Sequence, residues 1–460
     1  MSIKEKDKAL LLEQDERLQK TLLNILVISQ ILVFSPLPKE LMIIMPIVAL
    51  VYVFFKNPLI YIFDRILLLG MVITVYVAVC WILFRSDFFL INYLVALLFY
   101  SSFWFLFLVK SPNGISKLNK NRLDLFVGKV IVIEAIVGIL QVAFLNQGFD
   151  LSSGDYVQGT INIFSFINKE NGFANIFFTI NQVSLVTYYI LMVENKKYHV
   201  MIFGVFSIIL ASCIHISLAI IAAIVCTMAL INFIKVGKVL LAILLFLGVL
   251  SVLAPRNLAS FSSYKKQILE SRNLKVKSTF VGVPSLFTDA KSVFFGMGLG
   301  QYGSRSSLIM SGKYFYNKQT KKFRNPIGVV NQNQKLKNNL IPLWVKATTD
   351  DSYGMSVMNK PVYSILSLLM ELGPVLFSLL GLLFGAFILK LRYRYFRVSS
   401  KMEKRRYFYL MVTSFFVVGI SFFENYLEIA QAIFPTLILV LLFLKQTKQG
   451  YNQSNKTVIG

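Results

Sequence analysis

Apolar runs of about 17–25 residues, the length that crosses a bilayer as helix, recur along this chain. They are continuous rather than alternating, which excludes a closed β-barrel. In hydrocarbon, a segment of this kind satisfies its backbone polar groups only as a helix. Twelve spans are predicted, at about 21–36, 41–55, 66–84, 88–109, 126–145, 174–193, 200–214, 217–234, 239–254, 361–389, 407–423 and 427–444. With 56% hydrophobic residues and a mean hydropathy of +0.67, the chain is too apolar for a soluble protein of 460 residues. The expected fold is an all-α polytopic membrane protein: one bundle of about twelve transmembrane helices with one large external loop.

Lysine and arginine set the orientation. An even number of spans places both termini on one side. The termini and short loops on that side hold 26 Lys and Arg, and the opposite short loops hold three: Lys39, Arg85 and Lys169. Short cytoplasmic loops carry such an excess, so both termini are expected in the cytoplasm. The resulting division is a cytoplasmic segment 1–20, helices one to nine over 21–254, an external basic loop 255–360, helices ten to twelve over 361–444, and a cytoplasmic tail 445–460. Most of the net charge of +25 follows from this topology, which removes the case for nucleic acid. The cluster 390–406 (KLRYRYFRVSSKMEKRR) reads as an anchor on anionic lipids.

Several chemistries are excluded early. Cys80, Cys213 and Cys226 all lie in apolar runs with no CxxC pattern, and there are two histidines, so no metal site is expected. Residues 1–20 mix Lys with Glu and Asp, unlike a cleavable signal. A nucleotide P-loop is excluded by the absence of a GK[ST] motif.

The large loop is the exception in charge. Between Ala254 and Lys360 stand 17 Lys and Arg against four acids, Glu270, Asp289, Asp350 and Asp351. Long external loops escape the orientation rule, so a balance of +13 there asks for an anion. Within it runs Phe295-Gly296-Met297-Gly298-Leu299-Gly300-Gln301-Tyr302-Gly303-Ser304-Arg305. Alternating glycines, Gly298 and Gly300 among them, let backbone N–H groups approach an oxyanion. Arg305 offers a planar fork for phosphate, with Arg272 and Arg324 as helpers. Ionisable groups inside apolar runs are costly and mark candidate sites: Glu134 and Lys129, read as pairing with each other or snorkelling, Glu371 before Gly373-Pro374, and Glu424 and Glu428 at the last turn. Proline at 374 frees a backbone carbonyl and kinks the helix, so 361–373 reads as a half-helix lining an external cavity. His215, at the tip between spans seven and eight, is a base candidate beside Asp350, Asp351 and Glu371.

Three of these stretches carry a resemblance. "FANIFFTINQV" (173–183), after Gly159-Thr160, resembles the Asn- and Gln-bearing start of a span in the O-antigen polymerase/ligase superfamily, the Wzy-type integral-membrane glycan polymerases. "FFGMGLGQYG" (294–303) resembles that family's G-x-G-x-G stretch in its large external loop, and "YSILSLLMELGPVLFSLLGLLF" (363–384) its following helix with an E-x-G. The twelve-span plan is similar as well. Related ligases carry a His-Asn shortly before the E-x-G; here that region reads Pro361-Val362-Tyr363, and the large loop holds no histidine. At the tip where family members often have arginine, this chain has His215.

The resemblance implies an enzyme of the bacterial plasma membrane, a polysaccharide repeat-unit polymerase. It would transfer a glycan from a polyprenyl (undecaprenyl) diphosphate carrier to a sugar hydroxyl of a lipid-linked acceptor. Asn181, inside the first motif, is then expected to contact substrate. No cofactor is required, because the diphosphate is already an activated leaving group. Implied partners are the lipid-linked oligosaccharide, the bilayer, a chain-length regulator and a flippase. The alternatives are a flippase or transporter of the same lipid-linked units, and a ligase-type glycosyltransferase. The absence of two repeated halves weighs against the transporter, and the missing loop histidine against the ligase.

Overall fold

The computed structural model describes residues 3–37, 41–56, 63–144, 156–165, 167, 173–211, 213–237, 240, 241, 244, 248, 273–317, 319–350 and 360–444. Helices cover the apolar runs up to residue 231: α1 (Ile3–Phe34), α2 (Leu41–Lys56), α3 (Phe63–Phe84), α4 (Leu90–Phe99), α5 (Ser101–Leu108), α6 (Lys117–Ala143), α7 (Ala174–Met192), α8 (Tyr198–Ala211) and α9 (Ile214–Ile231); α1 and α6 begin well before the predicted 21 and 126, and the single span expected at 88–109 is two helices. Most of the expected ninth span, 239–254, falls outside the described residues. Among the described residues, six helices are long and apolar enough to cross a membrane: Glu13–Phe34, Arg65–Phe84, Lys117–Ala143, Ala174–Met192, Ile214–Ile231 and Ser364–Arg397. The pair α4 and α5, bent by 63° at Tyr100, makes a seventh if taken as one span. The described residues thus form an all-α membrane protein with one two-stranded hairpin.

The centre of the bundle is α7, the most enclosed of the six spans. Its polar side chains face inward and tie neighbouring helices together. Asn175 Nδ2 donates to Val157 O (2.8 Å) and Ala211 O (3.1 Å), and Gln182 Nε2 to Ser207 Oγ of α8 (3.0 Å). In an apolar bundle such bonds and close backbone approach replace the hydrophobic drive. The periphery is the reverse. Along α3, Leu67, Met71, Val72, Val75, Trp81 and Ile82 are exposed, as expected of a lipid-facing surface.

The polar stretch after α9 is not one open loop. Its described part folds into a cap: α10 (Leu274–Leu286), α11 (Ala290–Phe295), α12 (Arg305–Met310), a hairpin of β1 (Phe315–Asn317) and β2 (Lys322–Arg324), a π turn at Leu336–Leu340, and α13 (Ile341–Thr349). Each short helix starts at a polar cap residue: Asn273, Asp289 and Ser304 accept from N–H groups of the first turn, which satisfies otherwise orphaned donors. Lys335 joins α10 and α11, its Nζ donating to Ser285 O (2.8 Å) and Ser292 Oγ (2.9 Å) and pairing with Asp289 (3.2 Å). The cap has its own core of Leu286, Tyr302, Leu308, Leu336, Leu340 and Trp344, each contributing about 1.5–3 kcal/mol by leaving water.

That core continues into the first turns of α14 (Ser364–Arg397), through Leu366 and Met370. The bundle then closes with α15 (Lys401–Ile420) and α16 (Ala430–Leu444), linked by a tight turn with a 3-10 segment at Tyr426–Glu428. As the sequence anticipates, α14 breaks before Pro374: Gly373 is non-helical (φ 78°, ψ 160°). The break is packed rather than open. A Cβ on Gly373 would lie 2.4 Å from Gly296 N, and one on Gly296 would lie 2.4 Å from Glu371 C.

Two backbones touching at glycine leave no room for a methyl group. Gly296→Ala and Gly373→Ala are therefore expected to destabilise by about 2–4 kcal/mol, combining overpacking with positive-φ strain. Gly381→Ala and Gly385→Ala, where a Cβ meets open space, are expected to be neutral or slightly stabilising. Thermal midpoints of the detergent-purified proteins measure this; equal midpoints across all four variants would refute the packed break.

Candidate functional site

The glycine-rich run does cradle a carboxyl group, and that group is the chain's own. Gly300 N–H donates to Glu371 Oε2 (2.8 Å) and Tyr302 N–H to Glu371 Oε1 (2.9 Å), and Ser304 adds further donors from its amide and hydroxyl. Pro374 has no N–H to offer Met370 O, and that orphaned carbonyl accepts from Met297 N–H instead (2.9 Å). Glu371 O accepts from Gly298 N–H (3.0 Å) and from Tyr76 OH (3.3 Å). Every partner is buried or half-buried. The expectation that Gly298 and Gly300 cradle a substrate diphosphate is thus corrected: their amides are already taken by Glu371. The same cage removes Glu371 from the base candidates, because its side chain is fully buried with both oxygens bonded.

The caged loop delivers its next residue to a second cluster. Arg305 N–H donates to Glu428 Oε2 (2.6 Å), whose other oxygen accepts from Tyr100 OH (3.3 Å). The Arg305 guanidinium lies in the field of Glu424 and Glu428 and donates from Nε (2.9 Å) and Nη2 (2.5 Å) to Tyr314 OH. Glu424 is buried, and its Oε2 forms an ion pair with Lys360 Nζ (3.2 Å). Lys275, on the first turn of α10, donates from Nζ to Phe423 O, beside Glu424, and lies over the Tyr363 ring (5.4 Å). Burial pushes the Lys275 ammonium down to about 7; Glu424 opposes that shift and Lys360 adds to it. His215, on the first turn of α9, has Nε2 3.0 Å from Tyr426 OH and its ring against Phe423 (5.5 Å).

Arg305, Lys360, the Lys275 amine, two carboxyl groups and a histidine–tyrosine pair therefore meet where the cap joins α9, α14 and the α15–α16 turn. Chemically, this arrangement can offset part of the charge on an oxyanion and accept a proton beside it.

Of the residues singled out in the sequence, the fold brings Arg305, His215, Glu424 and Glu428 to this cluster. Arg324 lies on the exposed edge of the hairpin, and Asp350 caps the end of α13, its N–H on Lys346 O (3.1 Å). Arg272 and Asp351 lie outside the described residues. Asn181 is buried inside the bundle, its Nδ2 donating to Phe177 O and Gln431 O (2.9 Å each), a tie between α7 and α16. Glu134 does not pair with Lys129, which is exposed; it accepts from Thr160 N–H (2.9 Å) and Thr160 OH (2.5 Å). Lys275, Lys360, Tyr314 and Tyr426 were not singled out by sequence. Their one available signal was adjacency, since Lys360 directly precedes a span and Tyr426 lies between Glu424 and Glu428.

Comparison of the chain with models of protein families, with curated proteins and with solved structures finds no match.

The Lys275 shift has a stability consequence with a definite sign. The folded state holds this amine neutral from about pH 7 upward, whereas an unfolded chain keeps it charged to about pH 10.4. In that window the unfolded state binds more protons, so stability rises with pH, by at most about 1.4 kcal/mol per pH unit. Below pH 7 the full cost of burying the ammonium is present and flat. The thermal midpoint is expected to climb between pH 7 and 10, and Lys275→Met to flatten that climb; an equal climb in the variant would sink the assignment.

Proposed function

We propose that the chain is a polysaccharide repeat-unit polymerase of the bacterial plasma membrane. It transfers a glycan from a polyprenyl diphosphate to a hydroxyl of a lipid-linked acceptor unit. The reading places twelve spans in the bilayer, both termini in the cytoplasm and the cap on the outer face; the 26-to-3 division of cations between the termini with their short loops and the opposite short loops supports it. The observation that carries it is the convergence of Arg305, Lys275 and Lys360 on Glu424 and Glu428 at the junction of cap and bundle.

In this mechanism Arg305 and Lys360 hold the diphosphate of the donor lipid, and its negative charge keeps the Lys275 amine beside them protonated. The acceptor hydroxyl oxygen attacks the anomeric carbon, and the carbon–oxygen bond to the diphosphate breaks. Charge develops on the leaving oxygen, where a preorganised cation is worth most. Glu424, whose Oε2 has Lys360 as its sole partner within ion-pair range among the described residues, takes the hydroxyl proton. The His215–Tyr426 pair borders that carboxylate and orders the polar wall of the site. Glu371, caged by amides, holds the loop that presents Arg305.

The test is a reconstitution: purified chain, a synthetic polyprenyl-diphosphate repeat unit, and a gel read for a ladder. The wild type is expected to produce the ladder, and Arg305→Ala and Lys275→Ala to leave single units at unchanged protein level. Glu424→Gln is expected to slow turnover by about 10²–10⁴-fold, the usual contribution of a positioned base. A full ladder from Arg305→Ala would overturn the role of the cation cluster. A cell lacking the chain should display single units outside; units trapped inside would instead identify a flippase.

A further inference from the structure

Arg305 is pinned at both ends. Its backbone N–H is fixed on Glu428, and the Nε and Nη2 edges of its guanidinium converge on the single hydroxyl oxygen of Tyr314. Tyr314 is in turn immobilised. Its ring stacks on Trp344 (5.7 Å between centroids, 10° between planes) and meets Phe315 edge-on (5.0 Å, 84°). Trp344 is buried in the cap core, and its Nε1 donates to Lys313 O (2.7 Å), the residue before Tyr314. The Nη1 edge of Arg305 makes no hydrogen bond among the described residues.

This geometry points to Tyr314 as a positioning residue that aims the free edge of Arg305 at an oxyanion of the diphosphate class. The inference rests on the proposed role of Arg305 and adds what orients it. A tyrosine oxygen suits the task. It accepts from two guanidinium donors without adding a third carboxylate to the two that already lie near Arg305. An arginine held in one rotamer loses less freedom on binding than a solvated one, so the gain appears as affinity. Phenylalanine at 314 would keep the stack on Trp344 and remove only the acceptor.

The experiment measures binding of inorganic pyrophosphate to the full chain in detergent, for wild type, Tyr314→Phe, Arg305→Ala and the double variant. Tyr314→Phe is expected to weaken binding by about tenfold, typical of a lost preorganising contact, and to do nothing further in the Arg305→Ala background. Thermal midpoint and tryptophan fluorescence confirm that the Phe variant keeps its fold and stack. Three outcomes overturn the proposal: unchanged affinity in Tyr314→Phe, the same fractional loss with Arg305 already removed, or no pyrophosphate binding by the wild-type chain. A failed polymerisation ladder with this coupling intact would sink the polymerase reading and leave the positioning role standing.

Discussion

Everything at the top of this molecule depends on one buried carboxylate being hydrogen-bonded rather than solvated. Glu371 lies on a membrane helix, where an unpartnered charge costs at least about 2.5–3.5 kcal/mol. Two residues later the helix breaks and leaves two carbonyls without helical donors. The glycine loop, some seventy residues earlier in the chain, has the opposite deficit: a row of N–H groups with no strand or helix to take them. Docked together, the acid and the carbonyls accept what the loop offers. Either half alone would be a buried, unsatisfied polar surface, costing about 1–3 kcal/mol per group. The consequence is positional. Arg305 follows Ser304, the last residue of the cage, so the lock that satisfies Glu371 also sets the arginine's backbone against Glu428.

The same solution recurs at a smaller scale in the other half of the bundle. Glu134 of α6 is held by Thr160, and Gln141, two turns further along the same helix, accepts from Gln158 and Gly159 N–H and donates to Gly159 O and Asn162 O. Again a loop with a left-handed glycine folds back onto a helix through amides. A Cβ on Gly159 would lie 2.2 Å from Glu134 Oε2, which is why that position needs a residue without a side chain. These two acids differ in kind from Glu424. Amide-held carboxylates have their lone pairs occupied and act as staples. Glu424 faces ammonium and guanidinium groups, partners that a substrate anion can share or displace.

This distinction explains what sequence could and could not supply. Apolar runs announce helices directly, since length and composition are local properties, and α3 and α7 stand close to their predicted bounds. The break at Gly373-Pro374 was equally legible, because proline's missing N–H is a property of one residue. The glycine run was recognised as an amide nest for an anion, but its occupant sits 71 and 69 residues away, and no local pattern names a partner at that distance. For the same reason Asn181, inside a recognisable motif, was expected at substrate, whereas its amide ties two helices. Lys275 and Lys360 were two cations among seventeen until folding set them beside Glu424.

The remaining charge of the cap then takes a separate role. Lys277, Lys291, Lys321, Lys322, Arg324, Lys337 and Lys346 are all exposed, and from Ala290 to Thr349 there is no acid to balance them. Exposed ammonium groups make poor specific binders: they are strongly hydrated, and salt screens them over a Debye length of about 8 Å at physiological ionic strength. What they do well is raise the local concentration of anions around a buried site. In the proposed reaction, the outer cations gather anionic lipid carriers at the cap, and Arg305, Lys275 and Lys360 bind one of them out of bulk water. The outer set can be thinned residue by residue with graded loss of capture rate. The inner set cannot, because in that reaction each of its members meets the diphosphate itself.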